Sequence, residues 1–66
     1  MDSKDIIDAA QNRKPVVYNG IVYKEILEYI LWFNHRREKQ RSVVLLDMNG
    51  SSTVRALASE IKLAES

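Results

Sequence analysis

The sequence predicts a mainly β domain: a small antiparallel barrel or meander preceded by a short N-terminal helix. Three observations carry this reading. Both glycines of the 66-residue chain directly follow an asparagine, in "VVYNGIVY" and in "LLDMNGSSTVRA". Asn-Gly tolerates the positive φ that a two-residue hairpin turn demands, so this dipeptide between apolar runs signals a hairpin. Both arms of the first hairpin, and one arm of the second, are rich in β-branched or aromatic residues, which favour strands. Finally, Pro15 cuts off an amphipathic segment at the N-terminus, because the residue before a proline is pushed out of helical geometry.

Residues 1–13 read as that helix or as a tail. Asp2 or Ser3 is placed to cap it, and Asp5 lies in the first turn, where the helix dipole favours negative charge. Ile6, Ile7 and Ala10 form its apolar stripe. Residues 14–66 then form a single β domain. In the first hairpin Tyr18 pairs with Ile21, Val17 with Val22 and Val16 with Tyr23. In the second, Met48 pairs with Ser51, Leu46 with Thr53, Leu45 with Val54 and Val43 with Ala56. This register puts Val43, Leu45, Val54 and Ala56 on one face. Val44, Leu46, Met48, Thr53 and Arg55 lie on the other. The arm "VVLLDM" is apolar on both faces, the pattern of a strand covered twice, with the N-terminal helix or a second subunit as the further cover.

The segment "EILEYILWF" fits two templates. As a strand it puts Leu27, Tyr29, Leu31 and Phe33 on one face and Ile30 and Trp32 on the other. As a helix, Tyr23, Ile26, Leu27, Ile30 and Phe33 share a stripe, which gives an α+β alternative with residues 24–40 helical. The strand is favoured because "IVYKEI" holds no glycine, proline or capping residue to start a helix. It requires a bend or bulge near Glu25, with Glu25 and Glu28 on opposite faces. "NHRREKQ" is a polar turn, Ala58–Glu60 a single helical turn, and Ile61–Leu63 a short last strand. The order of long hairpin, polar loop, hairpin, tight turn and short strand resembles the small SH3-like barrels, Tudor and Sm-type folds included. The resemblance covers residues 16–64 and is one of fold, a scaffold that hosts many unrelated functions.

Composition limits the chemistry. So short a chain buries only about 60% of its unfolded surface. With no cysteine, no disulfide or thiolate-bound metal reinforces it. Small domains without such staples rely on very regular packing or on a partner chain, so a homodimer or another protein partner is expected. No apolar run reaches the roughly 20 residues of a membrane span, and no apolar segment near Asp2 reads as a secretory signal. A cytoplasmic location, no membrane partner and no small-molecule substrate are the expectations. No cofactor and no metal site are expected either, since the single histidine, His35, sits in a charged turn. Ser51 and Ser52 lack a nucleophile-elbow setting. Asp47 is expected to accept turn amides, and Glu25 and Glu28 to be solvated surface. The chain is therefore read as a non-enzymatic, self-associating interaction module whose contact is carried by Trp32, Val44, Leu46 and Met48. The alternative is a single-stranded nucleic-acid binder using the basic loop of residues 35–41. There Arg36, Arg37, Lys39 and Arg41 hold phosphates and the neighbouring aromatics Tyr29, Trp32 and Phe33 stack bases.

Overall fold

A computed structural model describes residues 1–64; the last two residues of the expected 14–66 domain lie outside it. One helix, α1 (Ser3–Gln11), precedes six strands. These are β1 (Val16–Tyr18), β2 (Ile21–Tyr23), β3 (Glu25–Phe33), β4 (Lys39–Leu46), β5 (Thr53–Leu57) and β6 (Ile61–Leu63). A single 3-10 turn, Ala58–Glu60, separates β5 from β6. The strands form two antiparallel three-stranded sheets, ordered β2-β1-β6 and β3-β4-β5. The expected mainly β class with a short helix is therefore present, and residues 25–33 are strand, not helix. The 3-10 turn and last strand stand where the sequence put them. The barrel, however, does not close. The sheets remain separate because the three-residue strands β1, β2 and β6 are too short to wrap into one continuous ladder.

Local chemistry explains each element. Asp2 caps α1, its carboxylate accepting from the Asp5 amide at 2.9 Å. The helix stops at Gln11, before Pro15 acts. Arg13 enters the left-handed region at φ 52, and the Arg13 and Lys14 amides turn back to the carbonyls of Ala10 and Ala9, which satisfies the orphan acceptors of the last turn. The buried side of α1 is Ile6 and Ala9; Ile7, assigned to the stripe from sequence, is 46% exposed. The first hairpin has the expected register, with Asn19 and Gly20 both at positive φ. The second keeps the expected pairs of Leu46, Leu45 and Val43 with Thr53, Val54 and Ala56, but its turn differs. Only Gly50 has positive φ, and Met48 and Ser51 do not pair. The Asp47 carboxylate accepts from the Ser51 amide and the Ser52 hydroxyl at 2.9 and 2.6 Å, which holds a wider loop open.

A bulge interrupts β3 at Leu27, between the pairs Ile26–Leu45 and Glu28–Val44. It corrects the expected faces: Glu25 and Glu28 oppose Leu46 and Val44, two residues apart on one strand, and so share a face. Leu27 is taken out of the alternation, while Tyr29, Leu31 and Phe33 keep theirs. The core gathers Ile6, Ala9, Val16, Tyr23, Ile26, Val43, Leu45, Ala56, Ala58 and Ile61. Ile6 and Ala9 share this core with Val43, Leu45 and Ala56, and α1 lies closest to β3, so the helix sits on the inner face of the β3-β4-β5 meander. Hydrogen bonds reinforce the seat: Ser3 Oγ lies 2.6 Å from the Tyr29 hydroxyl and accepts from Arg41 at 3.1 Å.

Candidate interaction site

The outer face of the meander is the side that α1 does not reach. Cross-strand pairing arranges it in rows: Glu25, Leu46 and Thr53; Glu28, Val44 and Arg55; Ile30, Ser42 and Leu57; then Trp32 with Gln40. Of the four residues singled out for a protein contact, Trp32, Val44 and Leu46 come together here and are each half-buried. Met48 lies past the end of the strand in the Asp47–Ser52 loop, 59% exposed, and is not part of the paired rows of this face.

Trp32 is fixed in place. Its indole N–H donates to Ser42 Oγ at 2.7 Å, and the Arg55 guanidinium stands 5.6 Å from the ring centroid, within cation–π range. Among the described residues Ser42 is the one buried polar residue, at 1% exposure, and its hydroxyl accepts from the indole. Neither partner was visible in the sequence. Both become predictable only once the β3-β4-β5 register is known, since Arg55 reaches Trp32 diagonally across β4.

The basic residues fall elsewhere. Arg36 and Arg37 occupy the turn between β3 and β4, and Lys39 and Arg41 lie on β4 facing Phe33 and Leu31, on the side opposite Trp32. The aromatic neighbours of the cations are thus Tyr29 and Phe33, and Trp32 is not among them. The turn itself is ordered: Asn34 Oδ1 accepts from the Arg36 and Glu38 amides at 2.9 and 3.0 Å, and Arg37 sits at φ 64.

Several other polar side chains pair within the chain. Ser3 meets Tyr29, Ser42 meets Trp32, and Ser51 and Ser52 meet Asp47. The Ser52 hydroxyl and the Ser51 amide hold the Asp47 carboxyl below the ordinary carboxylate range. Lys14, bonded to Asp8 at 2.8 Å, does the same for Asp8. Its bond to Ser3, helped by Arg41, lowers the Tyr29 phenol from its usual value. Among the described residues no three His, Cys, Asp or Glu side chains cluster as metal ligands, and no helix is long and apolar enough to cross a membrane. A shallow open groove between the start of α1 and β6 is lined by Met1, Asp5, Val17, Ile61, Lys62 and Leu63. Compared with protein-family models, curated proteins and solved structures, the chain matches none.

Proposed function

We propose that this protein is a non-enzymatic interaction module that pairs with a second copy of itself through the outer face of the meander. The observation that carries the reading is the seat of α1. It covers the inner face, so Ile30, Trp32, Val44 and Leu46 lie on the opposite side, where among the described residues they are only half-buried. Half-buried apolar side chains grouped on one face are the signature of a contact surface, and a fixed tryptophan is a natural anchor for one.

Charge favours a second copy as the occupant. Glu25 and Glu28 lie on β3, Arg55 on β5, and β4 runs between them. A two-fold axis parallel to β4 lays β3 of one copy over β5 of the other. It sets Glu28 against the partner copy's Arg55, Ile30 against its Leu57, and Val44 against its counterpart. Such an isologous contact is self-complementary, and near-aligned strands are a standard way for two sheets to stack.

Analytical ultracentrifugation tests this. A dimer is expected at low micromolar concentration, and Leu46→Asp is expected to give a folded monomer. Glu28→Arg alone weakens the dimer, and adding Arg55→Glu restores it. A wild-type protein that stays monomeric across the micromolar range overturns the proposal.

A further inference from the structure

The β3–β4 hairpin outruns its neighbour. β5 pairs with β4 only over Ser42–Leu46, so Leu31–Phe33, Lys39–Arg41 and the turn between them project as a two-stranded ribbon. One side of this ribbon carries Leu31 opposite Arg41 and Phe33 opposite Lys39. Leu31 is 53% and Phe33 62% exposed. A bare two-stranded ribbon is marginal in water, and the Phe33 ring near its tip is left mostly to solvent.

The charge of the molecule is concentrated at the same place. From Asn34 to Arg41 the chain has four lysines and arginines against one carboxylate. The rest of it has six against eight. Among the described residues the ion pair present is Lys14–Asp8, away from the ribbon. Among the described residues Arg36, Arg37 and Lys39 therefore have no carboxylate partner, and they stand at a turn that Asn34 already holds in shape.

We propose that this side of the ribbon binds single-stranded nucleic acid, with Phe33 stacking a base and Arg36, Arg37 and Lys39 contacting phosphates. An ordered cationic track beside an exposed ring is the combination that single strands use. The exposed Phe33 ring favours a single strand over a duplex, because an unpaired base is free to stack on it whereas the bases of a duplex are already stacked on one another. The site lies on the face opposite the proposed self-association surface, so the two proposals stand or fall separately.

The test is fluorescence anisotropy with a labelled oligothymidylate, a duplex of equal length, and sedimentation with anionic phospholipid vesicles. The oligothymidylate is expected to bind best. Three phosphate contacts give a salt slope of roughly −2, hence about a 20-fold loss between 50 and 200 mM salt. Phe33→Ala is expected to weaken binding about tenfold. Arg36→Glu combined with Arg37→Gly, which keeps residue 37 in a conformation glycine favours, is expected to abolish it and flatten the slope; Lys39→Gln, away from the turn, is expected to lower affinity with the fold intact by circular dichroism. Undetectable oligothymidylate binding at 50 mM salt, tighter binding to duplex or vesicles, or full affinity in folded Phe33→Ala would each overturn the proposal.

Discussion

Arg37 shows how a single residue is held in a conformation it does not favour. At φ 64 it occupies the left-handed position that closes the β3–β4 turn, where the following strand could resume equally well with glycine. Left-handed geometry costs a side-chain-bearing residue roughly 1–2 kcal/mol, of which glycine's greater unfolded-state freedom gives back about half. Arg37→Gly is therefore expected to stabilise the domain by about 0.5–1 kcal/mol in urea denaturation. The conformation at Asn19-Gly20 was legible in the sequence because the dipeptide itself tolerates it. Arg13 and Arg37 were not, because arginine carries no local sign of a left-handed turn. Asp47 lies between: its role as an acceptor of turn amides was readable, but not that it would widen the loop and unpair Met48 from Ser51.

The helix is the element whose orientation the sequence left open. Ile6, Ile7 and Ala10 and the observed Ile6 and Ala9 are neighbouring choices on one short amphipathic cylinder. Docking on Val43 and Leu45 decides between them. Ile6, fully buried, is expected to cost about 2–5 kcal/mol when changed to alanine, whereas Ile7→Ala should stay within about 0.5 kcal/mol, the range of ordinary surface changes. Thermal melts of the two variants check the helical phase directly. Strand faces were read more successfully, since a period of two fixes them once one pair is set. This put Val44 with Leu46 and Ile30 with Trp32, while the β3–β4 register that joins the two sets was not readable, and it failed for Glu25, where a bulge at Leu27 resets the count. A bend or bulge was expected near Glu25 and stands two residues on; its exact place is unmarked in "EILEYI", because Leu27 is as apolar as Ile26 beside it.

Over the whole molecule, stability responds to acid through Asp8 and Asp47. Both carboxyls are held below their ordinary value of 3.8 in the folded state. A depressed folded value means the unfolded chain takes up protons first as pH falls. Their contribution is therefore complete above that ordinary value and is lost as pH drops through the lowered folded ones. Urea midpoints are expected to fall below pH 4, and the fall should be shallower in Asp47→Asn. The partition of the chain into two sheets also bears on how it assembles. β3, β4 and β5 join near neighbours along the chain, whereas β6 must travel back past the entire meander to reach β1. Contacts between distant segments carry the larger loop-closure cost and are expected to form last. In stopped-flow experiments Val43→Ala should slow refolding. Ile61→Ala should leave that rate nearly untouched and hasten unfolding, so β6 acts as a late latch that governs how long the native state survives.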